Sequence, residues 1–529
     1  MKRIAPLPYL TWRFGVNLIL VIALLVLFGV LVWSQEYVFA LVWLVLSVSA
    51  IWVYGVKSGQ AYRMLFPALA LIACFALLPL LFTVFISTTN YSSSHLRSLN
   101  STVEQLLQRT FIGEHRYQYQ LLVDGDIFRL KLRYEDRTYL SQSFAMKAAP
   151  SESLRLAAGG ANLFLPEAEL EQQVLFRQMY GDLPLQLPSG SVLTRIDFKH
   201  YAQVLPKYRL LDQGLMLSNG QLVNDAVTLF DNQTAHYLRP NLQTGFFQAI
   251  DGEGKFIGPQ VNPGFVVWQG GEQYQTIFAQ QSLWLPLLRV LFWTLLFAVV
   301  SLLGSFMLGL LLAQLTLLQR GWKGFAYRLV LLLPWAIPSF ITILSFKVLL
   351  MPESGELAIL LNHLVHFAPD WLNQPSSARL VLLGISIWLG YPYVMLLALA
   401  CLRRLPNDYY ESAALSGYGP VRRFYYLTIP LTFKPLKPVL LALFAFNLHN
   451  FSLVYLFNQG MPVMADALPL AGHTQLLLNY VYSIGFSEQQ NFALASAITT
   501  FGLCLLGAIA YGAWRWLGKD PAWGSQAYE

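Results

Sequence analysis

Two stretches of this sequence carry side chains that could do chemistry in an otherwise apolar chain, and in both the chemistry is binding. The first is FAFNLHNF, residues 444–451, in which Asn447 and Asn450 stand three apart. That spacing places two amides on one face of a helix. An amide surrounded by apolar groups is costly unless it is hydrogen-bonded. A neighbouring helix could satisfy it, and so could a polar ligand. The residues alone leave both open.

The second stretch is ESAALSGYGPVRRFYYLTIP, Glu411 to Pro430, too polar to sit in lipid. Asp408 and Glu411, three apart, suggest a capping-box helix start. Gly417 falls where a helix needs a left-handed C′ residue, Pro420 where a second helix begins, and Pro430 is read as its stop. The pattern is a rigid helical elbow. It suits either a handle that receives motion from a soluble partner or a plain interfacial turn.

Nucleotide chemistry is not encoded. A phosphate-cradling loop reads GxxxxGK[ST], whereas Gly254-Lys255 is followed by Phe256 and Gly518-Lys519 by Asp520. The chain is therefore not expected to hydrolyse ATP. Cys74, Cys401 and Cys504 all lie in apolar runs and form no disulfide or CxxC pattern.

The elements that must position these residues are membrane helices. Of 529 residues, 56% are hydrophobic and 12% charged, about half the charge of an ordinary soluble chain. Runs near the 20 residues needed for a span occur at 14–33, 38–55, 67–87, 284–313, 328–351, 379–401, 438–457 and 491–514. The run 14–33 is read as a retained first helix, because no small-residue cleavage site follows it. Lys and Arg cluster in 1–13, 57–63, 320–328, 402–437 and 515–519, while 34–37 and 458–490 have none. The positive-inside rule then puts both termini and the loop 402–437 in the cytoplasm. This asymmetry accounts for the net charge of +7, and the scattered basic segments give no nucleic-acid footprint. Arg289 and Lys347, near span ends, read as snorkelling side chains.

Residues 88–283 form one very long connection. They hold 18 of the 28 acidic and 16 of the 35 basic residues, a nearly neutral balance. Alternating runs around Asp124-Gly125 in 117–134 signal a hairpin. Segments 226–230, 245–250 and 264–268 read as strands, and 167–179 as a helix. A folded extracytoplasmic α+β domain follows, with no Cys, no His-Glu metal spacing and no GxSxG. Docking is its expected role.

The elbow resembles the coupling motif of bacterial ABC importer membrane subunits: EAA, three residues, Gly, nine residues, I-x-L-P. Here it reads Glu411-Ser412-Ala413, then Ala414 to Ser416, Gly417, and Leu427-Thr428-Ile429-Pro430. Ser412 and the exchange of Leu427 with Ile429 depart from the pattern. The stretches 332–347, 388–395, 444–451 and 471–482, with the large insert after the third span, are similar to the maltose and maltodextrin permease subunits of that family. The resemblance implies an all-α polytopic fold of eight transmembrane helices carrying a β-rich, immunoglobulin-like insert. The divisions would be 1–87, 88–283, 284–515 and a tail 516–529. It implies a sugar site at Gly390, Tyr393, Phe446, Asn447 and Asn450, and an ATPase-coupling loop at Glu411, Ala413, Ala414, Gly417, Leu427 and Pro430. The implied partners are a second homologous permease subunit, two ATPase subunits that use ATP and Mg, a periplasmic maltose-binding protein, and maltose or maltodextrin. No cofactor or metal is expected on this chain, which would sit in the bacterial inner membrane. A permease for another oligosaccharide, an ion-coupled sugar carrier and a membrane receptor are the alternatives.

Overall fold

A computed structural model describes residues 22–517, apart from 23, 35–36, 56–61, 126, 146–152, 160–164, 181–182, 212–214, 217–221, 224–226, 320, 353, 366–369, 468–469 and 487–489. The basic residues at 2, 3, 13, 57 and 519, the segment 14–21 and the tail from 518 lie outside the described residues. Among the described residues, five helices are long and apolar enough to cross a membrane: Phe66–Ile86, Gln281–Leu317, Pro375–Leu402, Pro420–Leu448 and Phe492–Ile509. Shorter apolar helices occupy Leu24–Trp33, Phe39–Tyr54 and Ser339–Leu349. Each of the eight apolar runs overlaps one of these helices.

Two runs are not the single spans their hydropathy suggests, and the causes are local. The run 328–351 breaks into Gly321–Leu331, Leu333–Ala336 and Ser339–Leu349. Pro338 removes an amide donor and drives the residue before it out of the helical region; Ile337 has φ −92° and ψ 131°. At the earlier break, after Leu331, the Leu331 carbonyl accepts a hydrogen bond from Tyr391 Oη at 2.9 Å. The run 438–457 is cut at His449 and Asn450, between helices ending at Leu448 and starting at Phe451. Its membrane helix begins instead at Pro420, inside the segment read as a loop.

The core is organised around Gln281–Leu317, which packs lengthwise on Pro375–Leu402. Ser305, Gly309 and Ala313 recur every four residues along it, all facing inward. Small residues at this spacing let two backbones approach closely. A Cβ on Gly309 would lie 2.9 Å from Tyr391 O, and one on Gly304 would collide with Ile387 Cδ1. Phe306, Leu310, Val394, Met395 and Ala398 fill the same seam.

The insert is β-rich, as expected. Its larger sheet runs, in spatial order, 110–124, 200–206, 192–195, 185–186, 154–158, 137–141, 127–134 and 144–145, and 110–124 also pairs with 127–134. The larger sheet is closed on itself and is followed in sequence by a five-stranded sheet, not the open two-sheet sandwich of an immunoglobulin fold. Closure removes exposed edges. The hairpin at Asp124-Gly125 forms, with Gly125 at φ +63°. Leu130 and Leu132 are fully buried between Arg129, Lys131 and Arg133. The expected helix appears as Leu170–Met179, and two of the three expected strands as Leu229–Asp231 and Phe246–Ile250. Segment 264–268 is not a strand. It makes only isolated bridges, Phe265 with Arg97 and Trp268 with Thr89, because it is spent closing the neck.

That neck is tightly built. Asn90 donates to Phe265 O and accepts from Val267 N–H at 2.8 Å. Ala493 N–H donates to Tyr91 O at 2.8 Å, tying the neck to the last membrane helix. His95 is wedged beneath, with Nδ1 2.8 Å from Ser92 Oγ and Nε2 3.1 Å from Thr244 O. Burial pushes its pKa below the usual histidine value, against the raising effect of the Thr244 carbonyl. The neutral ring is therefore the native form. A depressed histidine pKa means that the unfolded state binds more protons, so stability falls as pH drops below about 6.5. Thermal unfolding of the chain in nanodiscs should show the insert less stable at pH 5.5 than at pH 7.5, and His95→Gln should flatten that difference. An unchanged pH dependence in the variant would exclude His95 as its source.

Candidate functional site

The five residues of the expected sugar site sit on two elements and the break after one of them. Gly390 and Tyr393 belong to Pro375–Leu402; Phe446 and Asn447 end the helix Pro420–Leu448. Asn450 does not share a helical face with Asn447. It lies past the helix end as the N-cap of Phe451–Asn458, and its Oδ1 accepts from Leu453 N–H at 3.4 Å. The expectation fails because the chain breaks at 449–450, where the amide is used by the backbone. Asn447 is different. It is 4% exposed, and its amide makes no side-chain hydrogen bond among the described residues. Phe446 beside it is 68% exposed.

Tyr393 is partly open, with its ring 6.1 Å from that of Trp335. Gly390 is at the helix seam: a Cβ there would stand 2.5 Å from Ser305 Oγ and 3.2 Å from Ser305 Cβ. Its first physical role is close packing. No hydrogen bond or ring contact among the described residues joins the pair 390 and 393 to the triplet 446, 447 and 450.

Sequence reasoning missed a run of aromatic rings that starts beside Asn450. Phe451 stacks on Tyr455 at 5.0 Å and meets Tyr482 edge-on at 5.1 Å; Tyr482 stacks on Phe486 at 4.9 Å. Phe492 and then Tyr91, at the insert's neck, continue it at 5.7 and 5.8 Å. The signal was available as i, i+4 pairs, Phe451 with Tyr455 and Tyr482 with Phe486. Arg289 is also more than a snorkelling chain. It donates twice to Asp466, at 3.0 and 2.7 Å, and holds that carboxyl below its usual pKa.

The elbow is formed by Asn407–Leu415 and the start of Pro420–Leu448. Gly417 has φ +77°, Tyr418 N–H donates to Ala413 O, and Gly417 N–H donates to Ala414 O. These two bonds make a complete Schellman cap. Arg422 lies over the ring of Tyr418 at 4.6 Å, and Tyr410 Oη meets Thr428 Oγ1 at 3.2 Å, bracing the two helices. Glu411, Ala414, Leu415, Val421 and Tyr426 are exposed, with Leu427 half-buried.

Two expectations for the elbow are corrected. No capping box forms at Asp408 and Glu411, because the N-cap is Pro406, two residues before Asp408, and no side chain caps the helix. Nor does Pro430 stop the second helix. A wider turn at Phe424–Thr428, in which Ile429 N–H reaches back to Phe424 O, carries the helix past the proline. Between the elbow and the helix seam lies a cavity of about 990 Å³, lined by Gly304, Gln314, Ile387, Tyr410 and Arg423 among others.

Relatives give this geometry its setting. Residues 98–270 match the family described as "Maltose transport system permease protein MalF P2 domain", and residues 305–519 match "Binding-protein-dependent transport system inner membrane component". The maltose/maltodextrin transport system permease protein MalF of Vibrio cholerae serotype O1 is 34% identical over 91% of this chain and 90% of its own length. Its counterparts in Escherichia coli K12 and Klebsiella aerogenes are also 34% identical, over 91% and 95% of this chain and 92% and 95% of theirs. The chain belongs to the MalF family.

Among solved structures, a bacterial ABC transporter that imports the acidic polysaccharide alginate aligns with 48% of this chain and 85% of its own, at 19% identity and a TM-score of 0.39. Membership of the MalF family makes the chain an ABC importer permease and an inner-membrane component. The insert is its P2 domain.

Gly390→Ala separates packing from ligand contact. Overpacking a seam of this kind costs about 1–3 kcal/mol, so the variant should lose thermal stability. Adding Ser305→Gly should restore most of it. Failure of the double variant to recover would remove the seam as the reason for this glycine.

Proposed function

We propose that this permease passes maltose or a maltodextrin, delivered by a periplasmic binding protein, through a path lined by Tyr393, Phe446, Asn447 and the aromatic run beyond Asn450. The observation that carries the reading is Asn447: a residue only 4% exposed, with no side-chain hydrogen bond among the described residues, next to an open phenylalanine ring. Sugars need amide groups for their hydroxyls and aromatic faces for their C–H side, and Asn447 has amide hydrogen-bonding capacity to give. The relatives described above, named maltose/maltodextrin transport system permease proteins, support the sugar class.

In this reading residues 88–283 and the connector 458–490 face the periplasm, both termini and the elbow face the cytoplasm, and a second permease subunit completes the path. Two ATPase subunits that bind ATP and Mg dock on the elbow around Glu411, Ala413, Ala414, Gly417, Leu427 and Pro430. The elbow offers them an exposed apolar patch on a rigid cap, the surface expected of a docking site. This chain supplies binding and gating, and hydrolysis takes place on the partners.

Asn447→Ala should cut maltose uptake at least tenfold while the ATPase subunits still co-purify. Wild-type uptake by that variant would sink the site assignment. Asn450→Ala should act differently, through a lost N-cap worth about 1 kcal/mol of helix stability.

The elbow has its own test. A Cβ on Gly417 meets nothing within 4 Å in this chain, so Gly417→Asn, tolerant of a left-handed backbone, should preserve the fold. Gly417→Asp adds negative charge at the negative end of the helix and should loosen the ATPase subunits while the spans remain inserted. Full ATPase retention with normal uptake in both variants would show that the elbow does not couple.

A further inference from the structure

The larger sheet of the insert has a notch. The strand Thr110–Asp124 pairs with His200–Pro206 only as far as Gln118. After one more bond, from Tyr119 N–H to Lys199 O, that edge next finds a partner when Ala168 N–H donates to Leu121 O. Between those points a polar cleft of about 250 Å³ opens under the helix Leu170–Met179. Tyr119, Glu167, Gln173, Arg177, Phe198 and Lys199 line it. Tyr119 is 9% exposed, yet its hydroxyl has no hydrogen-bond partner, and Arg177 Nε is likewise buried and unpaired. The Arg177 guanidinium lies over the Phe198 ring at 5.2 Å and donates to Phe198 O at 3.3 Å. The ring itself is 74% exposed.

Native structures seldom leave such groups unsatisfied, so each one asks for a ligand. The lining brings donors, on Arg177 and Lys199, together with acceptors, on Glu167 and Gln173, whose Nε2 already donates to Ala168 O and Glu167 Oε1, and the buried Tyr119 hydroxyl lies in its wall. That mixture matches a polyhydroxyl ring, which both gives and accepts. The volume is below the 300–1,000 Å³ usual for larger ligands and well above the ~30 Å³ of one water, so the occupant is the size of a single ring. Phe198 supplies the apolar face that a pyranose presents to an aromatic side chain.

We propose that this cleft is a second carbohydrate site, in the P2 domain, that takes one terminal hexose. It rests on the cleft alone and does not need the membrane path proposed above.

The test uses the full chain in lipid nanodiscs with methyl α-glucoside as a one-ring probe, and acetate as the anionic alternative, read by calorimetry. The glucoside should bind saturably. Tyr119→Phe, which removes an unpaired hydroxyl and no native contact, should weaken it roughly threefold to tenfold, the effect of one hydrogen bond. Arg177→Met should weaken it further, and Asn447→Ala should leave it unchanged. Three results would overturn the site: no saturable binding, loss of binding only in Asn447→Ala, or binding of acetate in place of the sugar. The second would leave the membrane path standing while removing this one.

Discussion

Everything in the membrane part of this protein is referred to one contact, the close approach of Gln281–Leu317 to Pro375–Leu402. In lipid there is no hydrophobic gain from pressing apolar helices together, so association depends on close packing and satisfied polar groups. Ser305, Gly309 and Ala313 allow the approach. Gly390 accepts Ser305 on the other side. The same contact sets Tyr391, which satisfies the carbonyl of Leu331 at the end of Gly321–Leu331, while Trp335 packs beside Tyr393. A side chain larger by one methyl group in this seam therefore displaces both the helix break and the ring that faces the proposed path.

The parts of the fold that are periodic were legible in the sequence. Eight apolar runs, the hairpin at Asp124-Gly125 and the left-handed position of Gly417 follow from hydropathy, alternation and the missing Cβ of glycine. What was not legible depends on competition among backbone groups. Pro430 carries every mark of a stop, but the wide turn before it leaves room for the ring, and hydropathy cannot see that. Asn450 has the spacing of a partner for Asn447, yet Leu453 N–H claims it. Segment 264–268 has the composition of a strand, and Asn90 and Arg97 take its hydrogen bonds one by one. Of the five site residues expected, Asn447 is a buried residue whose amide makes no side-chain hydrogen bond among the described residues; Gly390 and Asn450 have structural duties that their sequence context does not disclose.

The overlooked helix past Pro430 changes the mechanics of the proposal. Had Pro430 ended the second helix, the elbow would be a separate body, and its displacement would dissipate in a loop before reaching the membrane. Instead, Pro420–Leu448 is one helix of 29 residues, about 43 Å long at 1.5 Å per residue. Val421 and Tyr426, on the exposed elbow, lie at one end, and Phe446 and Asn447 at the other. A helix is stiff against bending over this length except where a wide turn or a proline weakens its ladder, and here those weak points run from 424 to 438, through the middle of the helix. The remaining residues, Val439 to Leu448 by position, are without proline. In the proposed function, motion at the elbow would be passed along this helix as a swing of the segment that bears Asn447. The break at 449–450 separates that segment from Phe451–Asn458, which carries the start of the aromatic run. A push on the elbow would change the distance between the Asn447 amide and the aromatic rings, the two halves of the proposed sugar path, without disturbing either helix internally.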